Sequence, residues 1–250
     1  MRRLAIVLLW GSGLPCYGQA APKVEFEARY WPTTASGNAK IGAGALNTTL
    51  DLKKDLGTNN PQTGDFRFTV RPGNSRIQFG FEHFGLHGDQ PVDRTIEFNG
   101  NVYTVGTQVV TDARINHVVL SWSYALIHPA GRRFKLGPLV EGHRLWWNAS
   151  LTAPALNLQG TDTRAIGYPA VGLAAEVVAH TRLVFFAEAA GLPAGSYGTF
   201  YDWEAGARLS PARHLNLVGG FRVFDVNAKF APDYARVHFS GPFVGAAAGF

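Results

Sequence analysis

Apolar and polar residues alternate with a period of two along most of the chain beyond its first twenty residues. In residues 197–209, for example, Tyr201 and Trp203 occupy odd positions while Asp202 and Glu204 occupy even ones. Successive side chains of a β-strand point to opposite faces, so this period is typical of strands with one apolar and one polar face. Helical periodicity does not extend beyond two turns anywhere, and the pattern therefore predicts an all-β fold.

Ten strands follow from this alternation, and the connections between them differ in length. The predicted strands span residues 24–31, 66–71, 75–87, 104–126, 133–151, 163–179, 182–191, 198–209, 214–228 and 236–250. The short connections, rich in turn-forming residues, are 72–74, 128–131, 179–181 and 210–213. The longer connections are 32–65, 88–103, 152–162, 192–197 and 229–235. Short turns at one end and longer loops at the other predict a closed, antiparallel, up-and-down β-barrel of about ten strands, the alternative being eight if 66–71 or 182–191 belong to extensions.

The first twenty residues have the pattern of a secretory signal peptide. Arg2 and Arg3 precede a short apolar segment at residues 4–10, and Gly-Gln-Ala at residues 18–20 is a small-x-small cleavage site. The apolar segment is too short to span a bilayer. We therefore predict a signal peptide at residues 1–20 and a single barrel domain at residues 21–250. Cys16, the only cysteine, falls in the removed part, so disulfides do not stabilise the mature chain.

Composition and charge narrow the class of protein further. The chain is 46% apolar and only 16% charged, which excludes a disordered chain. Loss of Arg2 and Arg3 with the signal peptide lowers the formal charge from +5 to +3, so the basic balance does not indicate nucleic acid as a partner. The sequence contains no phosphate loop, zinc-ligand spacing or nucleotide fingerprint. We expect no cofactor and no metal.

Three features indicate that the apolar face meets lipid rather than a buried core. Aromatic residues concentrate near strand ends, where amphipathic rings favour the headgroup level of a bilayer. Charges of both signs occupy the opposite face at mid-strand, and the chain ends in an aromatic residue, Phe250. The predicted interfacial aromatics are Tyr30, Trp31, Trp122, Tyr124, Trp146, Trp147, Tyr201 and Trp203.

These features resemble the bacterial outer-membrane β-barrel superfamily, and in particular its small barrels of eight to ten strands. The final strand carries Val244, Ala246 and Ala248 at two-residue steps before Phe250. The resemblance implies location in the outer membrane of a Gram-negative envelope, contact with lipid and lipopolysaccharide, and recognition of Phe250 by the barrel-assembly machinery. It also favours a monomer. Phe239 and other bulky residues of this strand are odd-numbered, whereas Phe250 is even-numbered. The assembly signal at Phe250 therefore requires a bulge near residues 241–242, or it is weaker.

The charges of the polar face are predicted to line the barrel interior. A barrel of about ten strands is only slightly wider than those that side chains fill, so a paired network that blocks flow is favoured over a narrow pore. The predicted lumen residues are Glu25, Glu27, Arg29, Arg67, Arg76, Glu82, Glu141, Glu188, Glu204, Arg208 and Arg222. The leading functional hypothesis is a structural or surface-interaction protein that uses the long loop 32–65 as its contact surface.

An enzymatic alternative rests on His238 and Ser240. They lie two residues apart on one strand face, where an imidazole can activate a hydroxyl. The pair is similar to the His-x-Ser motif of outer-membrane lipid A deacylases, which implies a hydrolase acting on lipopolysaccharide. No Asp or Glu follows Ser240, so an acid on a neighbouring strand has to orient His238; the alternative is an ordinary polar pair in the lumen.

Acidic residues suggest a second candidate site in the first long loop. Asp51, Asp55 and Asp65 offer oxygen ligands for a divalent cation, although no calcium-loop pattern is present. The alternative is a solvated helical turn at residues 51–57, a segment also associated with uncharacterised members of the superfamily.

A loose group of acids and histidines near the loop end is a third candidate. Outer-membrane protease chemistry needs an Asp–Asp and a His–Asp pair at this rim. The candidates are His83, His87, Asp89, Asp93 and Asp112.

Overall fold

The computed structural model describes residues 22–41, 48–127, 133–193, 195, 198–230 and 232–250. The predicted signal peptide and the predicted turn at 128–131 lie outside these residues. Apart from one short 3₁₀ turn, Pro154–Leu156, the named elements are all strands. Within the described residues, no helix has the length and apolar character needed to cross a bilayer.

Fourteen strands are present in the described residues, and ten of them form a closed antiparallel barrel. The strands are β1 Val24–Pro32, β2 Thr34–Lys40, β3 Leu50–Asp51, β4 Gln62–Val70, β5 Ser75–Pro91, β6 Ile96–Phe98, β7 Asn101–Tyr103, β8 Gln108–Tyr124, β9 Phe134–Ala153, β10 Leu158–His180, β11 Leu183–Pro193, β12 Gly198–Ala212, β13 Leu215–Phe230 and β14 Asp233–Gly249. The barrel runs β1-β4-β5-β8-β9-β10-β11-β12-β13-β14 and closes where β1 pairs with β14. The predicted fold class is confirmed, with ten strands rather than eight.

The remaining four strands lie in connections that were predicted to be loops. β2 continues the path of β1 and pairs with the loop-end half of β14, from Thr34 opposite Ser240 to Lys40 opposite Tyr234. β3 adds to the edge of β2, and β6 pairs with β7 as a separate hairpin. The two longest connections are therefore built structures that extend the wall and cover the loop end.

The two faces of the wall exchange polarity along the barrel axis. In β5, Phe79 faces outward and is 46% exposed, whereas Glu82 points inward and is fully buried. Farther toward the loops, His83 and His87 face outward while Phe84 points inward and is also fully buried. A membrane-crossing strand needs only about 9–11 residues, and β5 has 17. The exchange divides the wall into a turn-end part with an apolar outer face and a charged interior, and a loop-end part with a polar outer face and an apolar core.

Aromatic rings fill this loop-end core. Phe84 stacks on Phe239 with ring centroids 4.2 Å apart, and Trp31 meets Phe84 edge-on at 5.7 Å. Phe224 and Phe200 complete the layer, 5.5 Å apart. Offset and edge-to-face aromatic contacts of this kind add to the apolar burial. The layer closes the barrel above its charged interior.

The parity of β14 is continuous, which excludes the first of the two alternatives, a bulge near residues 241–242, and leaves the weaker assembly signal. The register with β13 runs without a break from Phe230 opposite Asp233 to Leu215 opposite Ala248. Phe239 is therefore an inward core residue, and Phe250 belongs to the outward set. Phe250 also exchanges backbone hydrogen bonds with Val24, which joins the two ends of the barrel.

A second apolar cluster lies beneath the loops and forms a cap. Leu50 and Leu56 of the first loop pack with Ile96 and Tyr103 of the β6–β7 hairpin, all of them buried. Gly88 of β5 has no space for a Cβ because the Leu56 carbonyl lies directly against it. The first loop is therefore held against the wall by close backbone approach as well as by side-chain packing.

An ion pair between two loops fixes this cap. The Arg94 guanidinium donates to both oxygens of Asp55, at 3.1 and 2.7 Å, and the Asp51 backbone N–H donates to Asp55 at 2.8 Å. Burial alone favours the neutral acid, but these donors hold the pKa of Asp55 below its ordinary value. Asp55 therefore stabilises the cap in its charged form.

Replacement of Arg94 by alanine is expected to loosen the cap at neutral pH. The stabilisation from Asp55 is present above the unfolded-state pKa of about 3.9 and is lost as the pH falls through the folded-state pKa. Amide hydrogen exchange of residues 50–58 should therefore be faster in Arg94→Ala than in the wild type at pH 6, and the difference should vanish in strong acid. Arg114→Ala, at an exposed position, is the control. Equal protection in Arg94→Ala and the wild type at pH 6 would contradict this role.

Candidate functional site

The barrel interior between the aromatic layer and the short turns is the candidate site. All eleven predicted lumen residues point into it, because the inward parity is kept along each contributing strand. Most are buried, from 0% exposure at Glu82 to 8% at Arg67. Arg76, Glu141, Glu188 and Arg208 lie closer to the open end, and their side chains are 10–13% exposed.

Glu204 is the centre of the first cluster in this interior. Arg67 binds its carboxylate with two parallel hydrogen bonds of 2.9 and 2.8 Å, and Arg29 donates a third of 3.0 Å. Arg67 also reaches Asp65 at 2.9 Å, and Arg29 contacts Glu27. Bidentate guanidinium pairs of this kind fix the geometry of both partners. The cluster links β1, β4 and β12 across the lumen.

Arg222 is the centre of the second cluster. Its guanidinium donates to both oxygens of Asp202, at 2.9 and 2.6 Å, and contacts Glu82. It lies 3.6 Å from Asp65 and 4.8 Å from the ring centroid of Trp31. One cation therefore joins the carboxylates of three strands to the underside of the aromatic layer. Because buried charges are costly unless paired, each member depends on the others.

Two histidines that the sequence analysis did not select form a relay with two glutamates. Glu82 is hydrogen-bonded to Nδ1 of His117 at 3.0 Å, and Nε2 of His117 to Nδ1 of His143 at 2.9 Å. Nε2 of His143 is in turn 3.0 Å from Glu141. Both imidazole side chains are fully buried. The rings lie under Phe224 and Phe200, so the relay runs along the lower surface of the aromatic layer.

The relay is a continuous chain of hydrogen bonds that links Glu82 to Glu141 across β5, β8 and β9. Each imidazole nitrogen in it donates or accepts according to the tautomer of its ring. Within the described residues, no group of three or more His, Cys, Asp and Glu side chains is arranged to hold a metal.

The predicted protease group does not form a cleft. His87 and Asp112 are 2.9 Å apart, but their side chains are 58% and 60% exposed on the outer wall. His83 pairs with Asn116 on the same outer face, and Asp89 accepts a hydrogen bond from Gln108. The outward parity of β5 and β8 at this level directs these side chains into solvent. The prediction that they share a catalytic rim is wrong.

The predicted cation ligands are likewise separated. Asp65 lies in the lumen beside Arg67, whereas Asp51 and Asp55 belong to the cap. Asp51 accepts the backbone N–H groups of Lys53 and Lys54, both at 2.8 Å. Asp51 therefore stabilises a tight turn, and Asp55 forms an ion pair. The predicted helical turn is not solvated throughout, because Asp55 is buried at 2% exposure.

His238 and Ser240 lie on the outer wall rather than in the lumen. Their even positions in β14 face outward, opposite to the buried Phe239. The acid that the sequence could not identify is Asp225 of β13, which is the register partner of His238 and 3.2 Å from its Nδ1. Arg236 lies 3.8 Å from the same carboxylate.

The predicted interfacial aromatics divide between the two faces. Tyr30, Trp122, Tyr124, Tyr201 and Trp203 are outward and 36–50% exposed, and Trp146 is outward and half-buried. The assignment of Trp31 and Trp147 to the interface is wrong, because odd positions of β1 and β9 point inward. Trp31 is 1% exposed and donates to the Gly241 carbonyl at 3.1 Å, and Trp147 donates to Asp162 at 3.1 Å.

This architecture is similar to that of several solved structures. No protein-family model matches the chain, and no curated protein matches it. Among solved structures, the outer membrane protease OmpT from Escherichia coli is 8% identical with a TM-score of 0.62, over 91% of this chain and 96% of that chain. The attachment invasion locus protein Ail of Yersinia pestis is 11% identical with a TM-score of 0.41, over 91% and 98%. The Pseudomonas putida toluene transporter TodX is 9% identical with a TM-score of 0.38, over 91% and 90%.

Identities this low show the fold alone, and of these three structures OmpT has the TM-score above one half. The barrel itself supports the same fold, because it has ten closed antiparallel strands, an apolar outer band and charged side chains in its interior. The chain therefore has the fold of the bacterial outer-membrane β-barrel superfamily.

Proposed function

We propose that the protein is an integral outer-membrane barrel with a closed interior, which acts through the cap that it presents at the cell surface. The short turns and both chain ends then face the periplasm, and the outward apolar band contacts lipid and the lipid part of lipopolysaccharide. The signal peptide at residues 1–20 directs export, and Phe250 serves the barrel-assembly machinery.

The observation that carries this proposal is the closure of the described interior. Arg67, Arg222 and Glu141 surround a central cavity of only about 20 Å³, which is the space of roughly one water molecule. Above it lies the aromatic layer with Phe84 and Phe239, and above that the cap. Paired charges and packed rings in series support a plug rather than a selectivity lining.

Purified protein in planar bilayers is expected to give no single-channel currents in molar KCl. A path for hydrated ions would need to break ion pairs that Arg222 makes with β5 and β12. The variant Arg222→Glu, which opposes those carboxylates with a like charge, is compared with the wild type once its heat-modifiable gel shift shows that it folds. Regular conductance steps of the wild type that change in Arg222→Glu would contradict the closed interior and indicate a channel.

A second candidate function is hydrolysis of a lipid ester at the outer wall. The specific observation in its favour is the contact between Asp225 and His238, which supplies the orienting acid that a His–Ser pair needs. Ser240 stands ten residues from the end of the chain, about the length of a membrane-crossing strand. The pair then lies at the headgroup level of the outer leaflet.

Mass spectrometry of lipid A from cells that express the protein tests this candidate. An active hydrolase removes an acyl chain, and Ser240→Ala abolishes the loss while Ser36→Ala, opposite His238 in β2, retains it. Identical lipid A from cells with the wild type and with Ser240→Ala would remove the hydrolase from consideration.

A further inference from the structure

The short-turn end of the barrel opens into a cup of about 1170 Å³. Its wall is formed by the β4–β5 turn, by the short-turn ends of β8 to β12, and by the chain end at Phe250. The central ion clusters close its floor, so the cup is blind. Its volume slightly exceeds the 300–1,000 Å³ typical of small-molecule sites.

Basic side chains dominate the lining of this cup. Glu176 and Glu188 are the acidic residues of the lining. The basic residues that face it are Lys23, Arg71, Arg76, Lys135, Arg208 and Arg213. When Glu25 and Glu27, which contact Arg71 or Arg208 from behind the wall, are included, the six basic residues exceed the four glutamates by two positive charges, within walls of low dielectric that concentrate the field.

Buried acids behind the wall hold the guanidinium groups in place. Glu25, at 1% exposure, contacts Arg71 at 3.1 Å and Arg208 at 3.4 Å. Glu27 lies a further 3.6 Å from Arg208, and the Pro22 carbonyl accepts from Arg71 at 3.5 Å. Glu188, itself part of the lining, accepts from both terminal nitrogens of Arg76. These contacts fix the orientation of the three guanidinium groups at the wall of the cup.

From the blind shape, the basic lining and the oriented guanidiniums, we propose that the cup binds a multivalent oxyanion whose charges are phosphate or carboxylate groups. Arginine forks match both groups bidentately. The closed floor means that the anion docks without being translocated. In the proposed orientation the ligand comes from the periplasm.

Isothermal titration of the purified full chain in a zwitterionic detergent tests this site, with pyrophosphate and citrate as the two probes. Lys23 and Arg213 are exposed at the rim, so Lys23→Glu with Arg213→Glu reverses two charges without disturbing the buried network. We expect this double variant to weaken binding by about tenfold or more. Arg182→Glu, an exposed position on the β10–β11 turn, is the matched control and should change the affinity less than about twofold.

The two probes distinguish the sources of the anion. Binding of pyrophosphate alone assigns the cup to phosphate-bearing ligands, and binding of citrate alone assigns it to carboxylate-bearing ligands. Either result supports the site if the rim variant loses affinity and the control does not. Failure of both probes to bind, or equal losses in Arg182→Glu and the rim variant, overturns it. Neither overturning result bears on conductance, so the proposed function stands or falls separately.

Discussion

Replacement of Arg222 by methionine is expected to lower the free energy of unfolding of the barrel by about 3–5 kcal/mol. Methionine retains much of the apolar stem but removes the cation that joins Glu82, Asp202 and Asp65. The carboxylates remain in a lumen that cannot hydrate them, and uncompensated buried charge is among the most damaging results of a single substitution.

Urea unfolding of the protein in lipid vesicles measures this loss, with the heat-modifiable shift of the folded barrel in gels as the readout. Arg114→Met makes the same change at an exposed position and should alter stability by no more than about 0.5 kcal/mol. The double variant Arg222→Met with Asp202→Asn should lose less than the sum of the single losses, because the two residues share one interaction. Stability of Arg222→Met equal to that of Arg114→Met would refute the network.

The second large effect is expected at the relay. His117→Phe preserves the ring that packs on Phe224 but leaves Glu82 and His143 without their shared partner. Loss of two hydrogen bonds at buried groups should cost about 1–3 kcal/mol. His87→Phe, on the exposed outer face, is the matched control and should be nearly neutral.

The barrel itself could be predicted because alternation is a local property. Each strand displays its own period of two, and the ten predicted segments correspond to the ten barrel strands. The four additional strands lack such a pattern. β2 and β3 exist because β14 offers a free edge above the point where β1 leaves it, and that edge is defined only by the closed barrel.

The interior could be predicted only in part, for a physical reason that Phe84 illustrates. The alternation places Phe84 on the same inward face as Glu82. In a strand that is exposed to lipid, however, bulky apolar residues are expected to face outward. Both rules hold, each at its own level of the axis, and the sequence does not mark the level at which the two faces exchange polarity. The same exchange of polarity between the two faces explains why Trp31 points inward and His87 points outward.

The relay escaped prediction because its members come from different strands. His117 and His143 are 26 residues apart in sequence, and only the closed register brings their rings together. The one signal available was parity, since both occupy the inward face that also carries Glu82 and Glu141. Asp225 illustrates the same limit: it serves His238 from a neighbouring strand.

The lipid-facing outer wall is the central claim, and a spin label at position 171 tests it most directly. Val171 and Leu173 face outward in β10 and are 62% and 59% exposed. The one cysteine of the sequence, Cys16, lies in the predicted signal peptide and is replaced by serine for this experiment. With Val171→Cys labelled in vesicles, we predict high accessibility to oxygen and low accessibility to a water-soluble nickel complex in electron paramagnetic resonance power saturation. A label that is reached by the nickel complex as readily as one at Gly73, in the exposed β4–β5 turn, would contradict the account.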